Sequence, residues 1–305
     1  MCIFPQPVFS VNNTQIFCRK TSHGSQFLVY QMNYDSPTEN AIILPIPVRQ
    51  PAPDKSVRFI DLKNYDTFFK DLLAGFPYYP PRSIGCSAQH NPNWRSDLEV
   101  FKVGNYIASF VPTLADFSRL DARFTLPEST WSELPQYKEY GFTVFQLAAG
   151  SLKPHPMAFE FESANDSIFF PTLHIHDGKI HNEENFDHIL YLQHAGFDSQ
   201  VAAYENTLEP DRYTGLIRSV KAAKLFCDVD RTNGIIDANL LVHRKVVKGN
   251  CLNRDIVIPT SGDPVTPRLN FRPWYSQLPW LGVAATAVWF LRRRGKIKRR
   301  TSESE

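Results

Sequence analysis

Apolar and polar residues alternate with period two through residues 14–20 and 26–34, on either side of His23-Gly24-Ser25. That alternation predicts two strands joined by a turn. Residues 41–48 form a nearly continuous apolar run, the pattern of a buried strand. Pro45 and Pro47 cannot both sit inside a ladder, so this strand ends there or runs along an edge. From 61 to 73 the spacing changes. Leu62, Tyr65, Phe68, Phe69 and Leu72 recur at helical intervals, and Gly75 is a stop. Two strands are predicted within 98–112, around Gly104-Asn105, and short helices over 114–120 and 128–140, where Pro127 and Ser129-Thr130 suit a helix start. Further strands fall near 142–148, 157–162 and 167–175. A helix is predicted near 184–193 and a helical segment over 212–226. Strands at 238–247 and 255–258 close the pattern, with turns at Asn233-Gly234 and Lys248-Gly249-Asn250.

Three pieces of this pattern recur in order. Phe27-Leu28-Val29-Tyr30-Gln31-Met32 returns as Phe142-Thr143-Val144-Phe145-Gln146-Leu147. Ile42-Ile43-Leu44-Pro45 returns as Ile168-Phe169-Phe170-Pro171. Asn64-Tyr65-Asp66-Thr67-Phe68-Phe69 returns as Asn185-Phe186-Asp187-His188-Ile189-Leu190. An ordered set with small drift in spacing predicts a duplicated unit, so that 26–70 and 141–191 form the same strand–strand–helix element. The expected fold class is therefore α+β: two pseudo-repeated lobes of antiparallel sheet with short covering helices, plus a C-terminal apolar helix. The expected domains are 1–140, a first lobe with a Pro-rich connector; 141–258, a second lobe with a closing β-region; 259–273, a linker; and 274–305, the apolar helix with a basic tail.

Composition supports a packed body, with 43% hydrophobic and 21% charged residues in 305. The net charge of +2 is unevenly placed: residues 292–305 carry seven Arg and Lys against two Glu, which leaves the rest net acidic. Such a body is poorly suited to nucleic acid, so no nucleic-acid partner is expected. The five cysteines, Cys2, Cys18, Cys86, Cys227 and Cys251, are odd in number and contain no Cys-x-x-Cys, which points to reduced thiols. No basic stretch followed by an apolar run opens the chain, so no signal peptide is read there.

The second copy differs from the first in its histidines. His174-Ile175-His176-Asp177-Gly178-Lys179-Ile180-His181 is followed by His188, and residues i and i+2 of a strand face the same way. His174, His176, His181 and His188 are the candidate ligands of one divalent transition metal. His155 is a further candidate, with Asp177 or Asp187 as carboxylate partner. The first copy has Val48, Gln50 and Thr67 where His174, His176 and His188 stand in the second. The competing reading is ordinary surface or hydrogen-bonded histidines. Asp228-Val229-Asp230-Arg231-Thr232-Asn233-Gly234 misplaces its glycine for a calcium loop and lacks the bidentate Glu, so an Asn-Gly turn explains it. Cys2, exposed if Met1 is removed, is a candidate N-terminal nucleophile.

Residues 278–291, opening on Leu278 and closing on Leu291, are nearly free of polar groups and abut Arg292-Arg293-Arg294, with Trp274, Tyr275 and Trp280 at one end and Trp289 and Phe290 at the other. That pattern predicts a transmembrane helix, a helix lying on a membrane with its basic tail on anionic headgroups, or a helix packed on the protein's own core. A membrane-associated protein with a cytoplasmic body is the expectation that follows.

The Tyr-bearing strand in residues 27–48, followed by Leu44-Pro45-Ile46-Pro47-Val48, resembles a domain-of-unknown-function family of secreted bacterial proteins with a similar strand and a Leu-Pro-x-Pro-Val run. The likeness covers about a tenth of the chain and implies no activity. The residues together point to a non-enzymatic binding or scaffold module, with a metal in the second lobe and membrane attachment through the C-terminus. The alternative is a hydrolase using a His-bound metal or Cys2.

Overall fold

The computed structural model describes residues 3–77, 107–205, 214–262 and 264. In chain order the elements are β1 (Ser10–Lys20), β2 (Ser25–Ser36), β3 (Asn40–Ile46), β4 (Val57–Asp61), α1 (Phe68–Ala74), β5 (Ala108–Val111), α2 (Glu128–Ser132), β6 (Gly141–Leu147), β7 (Gly150–Leu152), β8 (Met157–Glu162), β9 (Ile168–Phe170), β10 (Glu183–Gln193), β11 (Ile217–Arg218), β12 (His243–Leu252) and β13 (Ile256–Ile258). Short 3-10 turns fill the connections, notably Leu114–Arg119 and Pro135–Tyr137.

Three sheets result. The largest has eight strands in the order β11-β12-β10-β1-β2-β8-β4, with β7 also paired to β2. Its β1–β10 pairing is parallel and the others are antiparallel. A three-stranded sheet runs β3-β6-β5, and β13 pairs β9. β1 carries a bulge between Asn12 and Gln15, where Asn13 takes φ +52°, a conformation Asn tolerates better than most residues. The backbone N–H of Asn13 donates to the Asp187 carboxylate.

Both faces of the large sheet are covered. Ile16, Cys18, Leu28, Tyr30 and Leu190 point to one side and pack against Ile42, Leu44 and Phe145 of the small sheet. Phe17, Val29 and Tyr191 point to the other, under Phe68, Phe69 and Leu72 of α1 and Ile235 and Ile236. The small sheet buries its second face as well, with Ile43, Phe142 and Val144 beneath Phe117, Trp131 and Leu134. Strands buried on both sides read as unbroken apolar runs instead of alternating ones. That is why 27–30 is a run of four apolar residues and not the alternation read into 26–34, and why it resembles 41–46 and 142–145.

The fold class is thereby corrected. About 40% of the described residues are strand and 15% helix, in mixed sheets, so the protein is mostly β and not α+β. Nor are there two repeated lobes. β3 and β6, assigned to different copies, pair with each other from Asn40↔Leu147 to Ile46↔Gly141. Phe27 lies in the eight-stranded sheet and Phe142 in the three-stranded one. The residues matched to α1, 185–190, form part of β10. The predicted helix over 212–226 is also absent from 214–226, which hold β11 and a 3-10 turn at Ala223–Leu225.

The strands on either side of His23-Gly24-Ser25 form as predicted, as do the short helices after 113. Pro45 does lie in an edge strand of its sheet. Gly249, read as a turn, instead sits inside β12 opposite Phe186. Of the cysteines, Cys18, Cys227 and Cys251 are buried, while Cys2 and Cys86 fall outside the described residues.

The membrane reading is corrected too. Among the described residues no helix is long and apolar enough to cross a membrane. The seven residues of α1 span about 10 Å, a third of a bilayer core. The stretch on which the reading rested, 274–305 with its apolar run 278–291, lies outside the described residues.

Candidate functional site

The histidines do gather, but as a packed column. The segment 172–176 is hung from the chain just after β12. Asn253 Oδ1 accepts the His174 N–H at 2.7 Å, and Asn253 Nδ2 donates to the carbonyls of His174 and His181, both at 2.9 Å. Asp255 Oδ1 accepts the N–H groups of Thr172 at 2.8 Å and Leu173 at 3.0 Å. This fixed backbone sends His174 and His176 to one side, as their spacing predicts. Their rings stack with centroids 5.3 Å apart and planes 21° from parallel. His188, from β10, stacks on His174 at 5.1 Å and 12°. Phe186 closes against His174 at 4.2 Å, and Phe4 lies 6.1 Å from His176.

Stacking is the wrong geometry for a metal. Imidazole lone pairs lie in the ring plane, so parallel rings aim them side by side instead of at a common point. Among the described residues no group of three or more His, Cys, Asp or Glu could hold a metal ion. The metal-binding expectation is corrected on that ground. His181 is not in the column. It is exposed and meets Asp177 at 3.1 Å, and that hydrogen bond is the main reason the Asp177 carboxyl is held below its usual range. His155 lies elsewhere, beside a cleft of about 300 Å³ lined by Phe59, Asp61, Lys63 and Phe145. Burial drives His174 and His188 far below the usual imidazole range and His176 down to about 4, so the column is neutral.

A different feature has the character of a binding site. Between β5 and β6 the chain makes Leu114–Arg119, α2 and Pro135–Tyr137, which together cap the small sheet. Pro127 ends an extended stretch and opens α2, and Pro135 starts the next turn; neither needs to donate a backbone N–H. These short turns leave a groove of about 650 Å³ between them, lined by Leu114, Phe117, Leu126, Trp131, Leu134 and Pro135. Glu128, Lys138 and the hydroxyls of Ser118, Thr125 and Ser132 form its rim. Those hydroxyls are already used, donating to the carbonyls of Ala115, Ala122 and Glu128.

Trp131 is the centre of this cap. It is 6% exposed, stacked on Phe117 at 5.1 Å and 28°, and edge-on to Phe142 at 5.0 Å. Its indole Nε1–H is buried and has no acceptor among the described residues. Buried indole donors normally find a partner. The groove is thus an apolar recess of ordinary ligand-site volume, walled in part by Trp131, a residue whose buried donor is unspent. Sequence reasoning assigned 128–140 to a short helix and gave Trp131 no role; one Trp in a helical stretch carries no signal of its own.

No protein-family model matches the chain. It is similar to crystal structures of baculovirus P35, among them these three. One is of P35 itself, with a TM-score of 0.46 at 15% identity, covering 85% of this chain and 99% of that one. The second is of a mutated P35 after caspase cleavage, with a TM-score of 0.40 at 15% identity, covering 83% and 98%. The third is of the caspase-8/P35 complex, with a TM-score of 0.33 at 12% identity, covering 85% and 91%. All three TM-scores lie below 0.5, and no property of those proteins is carried to this chain.

Proposed function

We propose that this protein is a non-catalytic binding module whose recognition surface is the groove of the cap over β3, β6 and β5. The observation that carries the reading is Trp131: a large aromatic ring at the wall of an apolar recess, with its N–H unspent. Deep aromatic side chains with one polar handle are the usual anchors of protein recognition. The occupant that suits the groove is a short apolar segment of a protein partner. Two or three aliphatic or aromatic side chains would fill the recess, and a backbone carbonyl would accept the indole proton. The rim supplies one charge of each sign, Glu128 and Lys138, and so favours a segment of mixed charge outside its apolar face.

The test is selection of short peptides from a displayed library against the full chain. Binding is then measured for Trp131→Phe, which removes the donor together with the five-membered ring of the indole, and for Ser132→Arg, which fills the groove from an exposed position. Selected peptides rich in apolar anchors should lose about tenfold or more in affinity with the first variant, the loss of one hydrogen bond and of part of the ring contact, and bind undetectably to the second. Peptides that bind both variants like the wild type would place recognition elsewhere and overturn the reading.

A further inference from the structure

Arg244 of β12 stands directly across from Tyr191 of β10 and has Ile217 of β11 on its other side. It shares its face of the large sheet with Tyr191, Ile217 and Val242, all part of the core beneath α1. The residue is only 3% exposed and Tyr191 is fully buried. Among the described residues no carboxylate pairs with the guanidinium, and its Nη2 has no hydrogen-bond acceptor. The Tyr191 hydroxyl is equally buried and equally without a partner.

The surroundings are aromatic. The guanidinium carbon lies 4.6 Å from the centre of the Phe76 ring, which lies 6.3 Å from the Tyr191 ring and 5.8 Å from that of Tyr204. Phe69 covers Tyr191 from α1 at 6.1 Å. The Tyr204 hydroxyl is already spent, donating to the Pro77 carbonyl at 2.8 Å. The cation–π contact with Phe76 offsets part of the burial and leaves the Nη2 protons unmatched.

A guanidinium buried without a counter-charge is among the more costly arrangements a fold can hold. Arginine stays charged in proteins and cannot escape by losing its proton. The unspent Nη2 can only donate, and the Tyr191 hydroxyl, which can donate or accept, makes no bond to it; cross-strand neighbours on one face have their Cβ atoms only about 5 Å apart. Two groups free to donate, one of them cationic, call for one acceptor that carries negative charge and donates nothing. The near-complete burial limits it to a few atoms. We propose that Arg244 and Tyr191 form an interior anion site holding one small acceptor-only anion, of the size of a halide or a simple carboxylate, beside the Phe76 ring.

An anion that binds only the folded chain raises its stability in proportion to the logarithm of anion concentration once the site is saturated. The experiment is therefore thermal unfolding of the full chain at constant ionic strength. Sodium gluconate, too large for the site, is the background, and acetate, chloride or phosphate replaces it stepwise. A saturable rise in melting temperature with acetate identifies a carboxylate as the occupant, and one with chloride identifies a halide; either supports the site. The rise should vanish in Arg244→Met, which should be no less stable than the wild type in gluconate. It should need about tenfold more anion in Tyr191→Phe, a variant that keeps the ring and guards against loss of folding in the first. The site is refuted if the wild type responds to none of the three anions or to phosphate alone. It is also refuted if the response survives unchanged in Tyr191→Phe.

Discussion

Tyr137 donates its hydroxyl to Asp255 at 2.6 Å, joining the cap of the small sheet to the residue that holds the histidine segment. Tyr137 is buried and Asp255 half-buried, and burial raises the pKa of each. Asp255 also accepts two backbone N–H groups, so its three bonds act together. Tyr137→Phe should cost about 1–2 kcal/mol, one hydrogen bond to a carboxyl group. Asp255→Ala should cost more, roughly 3 kcal/mol or above, because the N–H groups of Thr172 and Leu173 are then left buried without acceptors. Urea unfolding midpoints check both values.

The histidine column makes a second prediction, on packing. If the rings serve as aromatic filling, His174→Phe should cost at most about 1.5 kcal/mol and His174→Ala roughly 2–4 kcal/mol. Exhaustive treatment with a chelator should leave the melting temperature unchanged. A large loss for His174→Phe together with a fall in stability on chelation would restore a ligand role.

Acid should destabilise the fold, and the sign follows from the direction of the shifts. Burial lowers His176 and His243 to about 4, and His174 and His188 further, so the unfolded chain binds more protons than the folded one below about pH 6.5. Stability is complete above that pH and falls as pH drops toward 4, by up to about 1.4 kcal/mol per pH unit for each proton taken up. The Asp187, Asp198 and Asp255 carboxyls, which burial raises, work in the opposite sense and reduce the net slope. Unfolding midpoints at pH 7.5 and 5.0 should therefore differ, and His176→Gln should narrow the difference. Equal midpoints would contradict the burial of these rings.

Gly141 opens β6 where there is no room for a side chain. A Cβ there would lie 2.7 Å from Phe110 and from Val48. Gly141→Ala should therefore destabilise by roughly 1–3 kcal/mol through overpacking. A neutral result in an unfolding titration would mean that β5 and the chain after β3 can move apart.

Local pattern carried the strands well where one face or a turn was distinctive, as around His23-Gly24-Ser25. Where both faces are buried it found the strands but misled about how they are related. Residues 27–32 and 142–147 look like copies because each fills a doubly covered strand, and that likeness suggested a duplication. The analogy then imposed a helix on 185–190, although Phe186, His188 and Leu190 recur with the strand period and lie buried in β10. His174 and His176 were rightly placed on one side, but whether rings stack or converge depends on Asn253 and Asp255, about eighty residues away. Arg244 shares strand parity with the buried Val242, a sign of its inward face that is visible in sequence. Its lack of a counter-charge is not visible there. Trp131 likewise gains meaning only from Phe117 and the groove that tertiary packing creates.

The measurement that bears most directly on the binding account is the indole N–H resonance of Trp131, assigned by its loss in Trp131→Phe and followed as a selected peptide is added. Formation of a hydrogen bond from a donor that has none should move this resonance downfield, saturating with the same affinity as binding itself. A peptide that binds while this resonance stays fixed, with its changes confined to residues outside the groove, would contradict the account.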